Sequence, residues 1–157
     1  MKIILCRCGN HIIVSDEDYD RLRDTAWNCY GEDRVRSVVH RNPISIADMI
    51  MGFPPIGFIW DHVDRDIHHN VRSNLRLATN SQNNRNRGRF RNNTSGYKGV
   101  HWDKLRGKWQ AQAYSDGHRK HLGHFDKKED AAIAYNDFVK EHYGEFAVLN
   151  TITEEGK

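Results

Sequence analysis

Cysteine, proline and long apolar runs are all scarce in this 157-residue chain. The three cysteines, Cys6, Cys8 and Cys29, are an odd number, which excludes a full disulfide framework and reads as reduced thiols. Cys6-Arg7-Cys8, with His11 nearby, lacks the C-x₂₋₄-C spacing of most zinc sites, so ordinary strand cysteines are the reading and structural zinc is not expected. No apolar stretch nears the roughly 18 residues of a membrane span, and Met1-Lys2-Ile3-Ile4-Leu5 is too short for a secretory signal. A cytoplasmic protein with no membrane partner is the expectation. Hydrophobic residues make up 38% and mean hydropathy is −0.83, which leaves too little apolar surface for one large core and favours two small domains.

Charge is present and segregated. The net value is +3. Between Arg85 and Arg119, however, lie Arg87, Arg89, Arg91, Lys98, Lys104, Arg106 and Lys108 against only Asp103 and Asp116, while Asp16 to Asp20 and Glu154-Glu155 are acidic. Such asymmetry points to a polyanion bound along the middle and C-terminal half.

The chemistry concentrates between Trp60 and Asn84. Alternating hydrophobic residues lead into Asp61 and His62, a loop rich in Asp, His and Asn follows, and Leu75-Arg76-Leu77 reads as a second short strand with a polar helix beginning near Thr79. Hydrolysis of a phosphodiester needs a deprotonated water, neutralised phosphate oxygens and help for the leaving alkoxide, and a bound cation supplies the last two. Asp61 and the Asn83 carboxamide are oxygen ligands suited to Mg²⁺, with Mn²⁺ as the alternative. A neutral imidazole such as His62 is a good base near pH 7 when its other ring nitrogen is oriented, here expected by a backbone carbonyl. His68, His69 and Asn70 read as solvated loop residues, and Asp64 as a loop-capping or supporting acid.

These residues resemble the HNH, or ββα-metal, motif of phage and intron homing endonucleases: Asp61-His62 at a strand end, Asn74 ahead of Leu75, and Asn83 on the helix in place of the last histidine. The resemblance implies His62 as general base, Asn74 as the brace of the loop that orients it, and Asp61 and Asn83 as metal ligands.

Upstream, Ile3-Ile4-Leu5 and Ile12-Ile13-Val14 flank the turn Cys8-Gly9-Asn10 as a hairpin. Ser15 and Asp18 suggest a capping box, Trp27 to Val39 a second strand pair, and Ile46, Met49 and Ile50 a short helix stopped by Gly52 and Pro54-Pro55. This part reads as scaffold for the motif, without chemistry of its own. Downstream, Asn80 to Asn93 carries only Phe90 as an apolar residue, so its second half reads as a linker along a phosphate backbone through Arg85, Arg87, Arg89 and Arg91.

From Gly96 three strands are expected, Gly96 to Trp102, Trp109 to Tyr114 and His118 to Phe125, with a turn at Ser115-Asp116-Gly117. A helix follows, N-capped by Asp126 with Glu129 in a capping box, bearing Ala131, Ala134, Tyr135, Phe138 and His142 on or near one face and closed by Gly144. Alternation puts Trp109, Ala111 and Ala113 on the helix side and Gln110, Gln112 and Tyr114 on the other. Tyr97-Lys98-Gly99-Val100, Lys108-Trp109-Gln110-Ala111, Leu122-Gly123-His124-Phe125 and Glu129-Asp130-Ala131-Ala132 resemble the AP2/ERF DNA-binding domain. That resemblance implies a sheet laid in the major groove, with His101, Lys104, Arg106, Lys108, Gln110, Gln112, Tyr114, Arg119 and His121 facing DNA.

The fold expected is therefore α+β: a ββα-metal nuclease motif on an N-terminal β-rich scaffold, plus a small three-stranded antiparallel sheet backed by one helix. The domains are 1–84, with the motif at 58–84, a basic linker 85–94, the AP2/ERF-like part 95–150 and a tail 151–157. The function expected is a metal-dependent DNA endonuclease of homing type, working as a monomer or weak dimer on double-stranded DNA without a small-molecule cofactor. The alternative is a non-catalytic DNA-binding regulator on a decayed nuclease scaffold. An RNA-directed protein is disfavoured, because the A-form major groove is too narrow for side-chain reading.

Overall fold

The computed structural model describes residues 1–30, 34–39, 42–115 and 117–152. Asp116 of the expected turn and the acidic Glu154-Glu155 end lie outside them. The chain divides into two units, Met1–Asn80 and Ser81–Lys157.

The first unit opens with β1 (Lys2–Leu5) and β2 (His11–Val14), an antiparallel hairpin as the pattern predicts. Its turn needs Gly9, whose φ of +90° is open to glycine and strained for other residues. α1 (Asp16–Leu22) follows Ser15, but the Ser15 side chain makes no capping bond. The capping box is absent because Asp18 is taken elsewhere: it is 1% exposed and accepts from Arg21 and, at 2.9 and 3.1 Å, from the Arg72 guanidinium. β3 (Asn28–Tyr30), β4 (Arg34–Val39) and β5 (Asn42–Ser45) form an antiparallel sheet, one strand more than the expected pair. α2 (Ile46–Met51) is started by a capping box between Ser45 and Asp48 and stopped at Gly52. Trp27, Ile12, Val14, Leu22 and Ile46 form the centre of this unit's core. Each such side chain stabilises the fold by about 1.5–3 kcal/mol when fully buried.

Three strands then build the region of interest. β6 (Phe58–His62) pairs antiparallel with β8 (Leu75–Thr79), placing Asp61 opposite Arg76 and His62 opposite Leu75. The connection between them is more ordered than a polar loop: it contains β7 (His69–Asn70), which runs parallel to β2 with Ile13 opposite His69, and a single 3-10 turn at Arg72–Asn74. The N-terminal hairpin thereby carries the histidine-rich segment on its own sheet.

α3 (Asn80–Asn86) starts at the residue after β8, and all of it but Asn80 falls in the second unit. β9 (Val100–Asp103), β10 (Lys108–Ser115) and β11 (His118–Phe125) form an antiparallel sheet in the order β11-β10-β9, with α4 (Lys128–His142) packed on it. The first strand begins at Val100 rather than Gly96. Gly96 and Gly99 take positive φ, and Ser95 and Asn93 gather the intervening backbone groups, so residues 96 to 99 turn instead of extending. At the α4 start, Lys127 rather than the expected Asp126 occupies the cap position, without a side-chain bond, and Asp126 is paired with Lys108 at 3.3 Å. Gly144, at φ +53°, ends the helix as expected. Ala111, Ala113, Ala131, Tyr135 and Val139 are buried where sheet meets helix, whereas His142 is exposed. No helix among the described residues is long and apolar enough to cross a membrane.

Candidate functional site

His62 closes β6, where a strand end is held rigidly by its ladder partner. Its Nε2 lies 3.0 Å from Asn70 Oδ1, and Asn70 Nδ2 donates to the Ile67 carbonyl at 2.7 Å. The second bond fixes the amide: with Nδ2 committed as donor, Oδ1 faces the ring and accepts. Nε2 therefore carries the proton, and the basic lone pair of a neutral His62 is on Nδ1. A side-chain amide thus orients this histidine through Nε2. Asn70 is wholly buried, which corrects its reading as a solvated loop residue. Its position follows from the β2–β7 pairing, a contact across the sequence that no local pattern announces.

Asn74 holds the same loop from the other side. It is 7% exposed; its Nδ2 donates to the His69 carbonyl at 2.7 Å and to Asp64 Oδ1 at 2.9 Å, and its Oδ1 accepts from the Asp64 N–H at 3.1 Å. Asp64 in turn reaches His69 Nδ1 at 2.6 Å. Burial pushes the Asp64 carboxyl up, but the Asp66 N–H, His69 and Asn74 together outweigh it and hold the group below its usual range. His68 and His69 are also half-covered rather than solvated.

Asp61 is 4% exposed, and its Oδ2 accepts from Arg76 Nε at 3.0 Å. The antiparallel register puts the two residues face to face, so an alignment of the two strands would have revealed the pair. Arg76 neutralises the carboxylate that the sequence marks as a cation ligand, and a cation at Asp61 has to share it with the guanidinium or displace it. Asn83 sits half-buried on α3, in the second unit.

In that unit the sheet face away from α4 brings several expected contact residues together. His101 is opposite Gln110, Gln112 opposite His121, and Tyr114 opposite Arg119, with a bulge between Ala111 and Gln112. Gln110 Nε2 meets His121 Nδ1 at 2.7 Å, and Arg119 donates to the Tyr114 hydroxyl at 3.1 and 3.2 Å. Trp102 falls opposite Trp109, the rings in edge contact at 5.1 Å.

Other expected contacts are engaged within the fold. Arg85 lies over the Tyr143 ring at 4.7 Å, Arg89 donates to the Gly96 carbonyl at 2.7 Å, and Lys98 Nζ binds the carbonyls of Arg85 and Arg87. The basic segment is tied to its own unit rather than running free. Lys104 is exposed, while Arg87 and Arg91 are exposed cations with partners of their own. Arg106 donates to Asp103 at 3.0 Å, and His124 Nε2 lies 3.1 Å from the same carboxylate.

Arg106 first, with the backbone donors and His124, holds the Asp103 carboxyl down at about 2 against an ordinary 3.8. A carboxyl whose folded value is depressed stabilises the fold fully above its unfolded value and loses that contribution as pH falls through the folded one. The Asp103 carbon signal in NMR should therefore titrate near pH 2, and Arg106→Ala should move the midpoint back toward 3.8. An unmoved midpoint would contradict the pairing.

No protein-family model matches the chain, and no solved structure matches it. Two curated relatives do. An uncharacterized HNH endonuclease of Acanthamoeba polyphaga mimivirus is 34% identical over 105 residues, 66% of this chain. The matched stretch spans about half of that viral protein, 53%. Protein 3.8 of Escherichia phage T7 is 32% identical over 107 residues, which are 68% of this chain and 88% of the phage protein. With that coverage, the chain belongs to the family of Protein 3.8 of Escherichia phage T7.

Proposed function

We propose that this chain is a metal-dependent DNA endonuclease of HNH type, with His62 as general base. The observation that carries the reading is the Nε2 contact of His62, at a strand end next to Asp61, to the buried Asn70 amide, which orients the imidazole. Likeness to a viral protein described as an HNH endonuclease supports it.

In this reading His62 Nδ1 takes a proton from the attacking water, and the imidazolium so formed keeps its Nε2 hydrogen bond to Asn70. General-base assistance of this kind contributes roughly 10²–10⁴ in rate. Asn74 and Asp64 hold the loop that carries Asn70, so His62 loses little orientation during turnover. Asp61 is an oxygen donor suited to Mg²⁺ or Mn²⁺, and Asn83 carries a donor of the same hard type; such a cation would neutralise charge on the phosphate and assist the leaving alkoxide. Arg76 balances Asp61 otherwise. The sheet face bearing His101, Gln110, Gln112, Tyr114, Arg119 and His121, with Lys104, Arg106, Lys108 and the basic segment at Arg85, Arg87, Arg89 and Arg91, serves double-stranded DNA; an AP2/ERF-like mode with the sheet in the major groove suits its amide, imidazole and guanidinium groups.

The Asp61–Arg76 ion pair favours a second reading, a DNA-binding regulator whose nuclease scaffold has lost its cation. Two assays on the intact chain separate the readings. Binding to duplex DNA should weaken steeply with salt in both cases, with a slope of log affinity on log salt near −5 for about six phosphate contacts. A slope near zero would remove DNA as the partner. Cleavage that requires Mg²⁺ or Mn²⁺ selects the enzyme, and salt-sensitive binding without cleavage selects the regulator.

A further inference from the structure

Three thiols far apart in sequence converge in the first unit. The Sγ atoms of Cys6, Cys8 and Cys29 all lie within 4.8 Å of one another, with Cys8 to Cys29 at 2.7 Å and Cys6 to Cys29 at 3.3 Å. His68 completes the group: its Nε2 is 3.5 Å from Cys29 Sγ. We propose that Cys6, Cys8, Cys29 and His68 form a structural zinc site that pins the turn of the first hairpin to β3 and to the segment leading into β7.

Four-coordinate zinc with three sulfurs at about 2.3 Å and one nitrogen at about 2.0–2.1 Å has tetrahedral edges of about 3.8 Å between sulfurs and about 3.6 Å from sulfur to nitrogen. The Cys29–His68 separation already matches the second edge. The sulfurs need to open by only about an ångström to match the first, given the same Zn–S length.

The surroundings have the form a bound cation needs. His68 presents Nε2 to the sulfurs while its Nδ1 lies 3.4 Å from Asp66 Oδ1, and the same carboxylate oxygen accepts the His68 backbone N–H at 2.9 Å. A carboxylate on the far ring nitrogen is the usual partner of a metal-bound histidine, since it fixes tautomer and ring orientation. Asn10 Nδ2 is 3.5 Å from Cys29 Sγ and 3.3 Å from His68 Nε2, close enough to donate to a thiolate. The backbone turn is tight: the Gly9 N–H reaches the Cys6 carbonyl and the Cys6 N–H the Asn10 carbonyl, both at 2.9 Å, which brings Cys6 and Cys8 to one side.

The local C-x-C spacing argues against zinc only if all ligands are near neighbours. Here two come from the turn and two arrive through tertiary structure, from 21 to 23 residues away for Cys29 and 39 residues beyond it for His68. His11 is not among them. The group is distinct from Asp61 and Asn83 in ligand type, soft sulfur and imidazole against hard oxygen, and four protein donors leave no position open for substrate. The proposal does not rest on the nuclease reading.

The test uses the full-length chain, purified without added metal and dialysed against metal-free buffer. Elemental mass spectrometry should find about one zinc per chain, and the three thiols should resist a thiol reagent until a chelator is added. Replacing zinc by Co²⁺ should give sulfur-to-metal charge-transfer absorption and strong tetrahedral d–d bands. Cys29→Ser should lose the metal, whereas His68→Cys, which keeps four ligands and guards against misfolding as an explanation, should retain it with the d–d bands shifted to lower energy. A chain that neither carries zinc nor takes up Co²⁺ would overturn the site, as would a single free thiol from a Cys8–Cys29 disulfide. An unchanged cobalt spectrum in His68→Cys would remove His68 from the ligand set.

Discussion

His62→Ala should lower the rate of DNA cleavage by on the order of 10²–10⁴-fold while leaving DNA affinity unchanged, because the variant removes a proton acceptor and no phosphate contact. Thermal unfolding measured alongside separates a folding defect from a catalytic one: His62 is only half-buried at a strand end, and its removal leaves the β6–β8 ladder in place. The Asn70 amide is the group left without its partner. Unsatisfied buried acceptors cost about 1–3 kcal/mol, so a modest fall in stability accompanies the loss of activity. His62→Gln, which offers Asn70 a donor in return, should restore stability without restoring cleavage. Equal cleavage by the alanine variant would assign the base to another residue.

Gly99→Ala should unfold or severely destabilise the second unit. Gly99 has a φ of +77°, and a Cβ there would meet the ring of the buried Tyr135 and stand 2.7 Å from the Gln112 carbonyl oxygen. Left-handed backbone in a residue other than glycine costs about 1–3 kcal/mol. Forcing an atom into a packed core adds about 1–3 kcal/mol. Together these reach on the order of 2–6 kcal/mol, comparable with the whole stability of a small domain. Gly107→Ala is the control: it also has positive φ, at +61°, but nothing lies within 4 Å of its added Cβ. Denaturant titration should show the Gly99 variant losing several times more stability than the Gly107 variant. Similar losses would mean that the close approach of Tyr135 is unimportant.

Local signals account for what could be read in the sequence, and their absence for what could not. The hairpin of β1 and β2, the strand ending at Asp61-His62, and the strands β10 and β11 follow from alternation between turn residues, which is a property of neighbours. Helix α4 follows from its apolar face and Gly144. Its start is legible only to within a residue, since Lys127, which offers no capping oxygen, holds the cap position in place of Asp126. Asn70, Asp18 and His68 were obscured for another reason. Each takes its meaning from a residue far along the chain or on a strand paired through tertiary structure: Asn70 reaches His62 because β7 joins β2, Asp18 meets Arg72 across 54 positions, and His68 meets Cys29 across 39. Arg76 was accessible in principle, because pairing β6 with β8 from the ends inward sets it against Asp61.

That last pairing matters to the chemistry. If the protein cuts DNA, the Asp61–Arg76 contact is either shared with the cation or exchanged for it when cation and DNA arrive, and the ion pair then keeps a buried carboxylate from standing unpaired between turnovers. If the protein only binds DNA, the same contact is the stable end state. A nuclease and a binding-only protein would share this fold and differ in one observable.

That observable is the fate of supercoiled DNA incubated with the unaltered chain in Mg²⁺, in Mn²⁺ and in EDTA. Conversion to nicked or linear DNA is expected in at least one of the cation samples and none in EDTA; supercoiled DNA that stays intact in both cations, although the chain binds it, would contradict the claim that this protein is a nuclease.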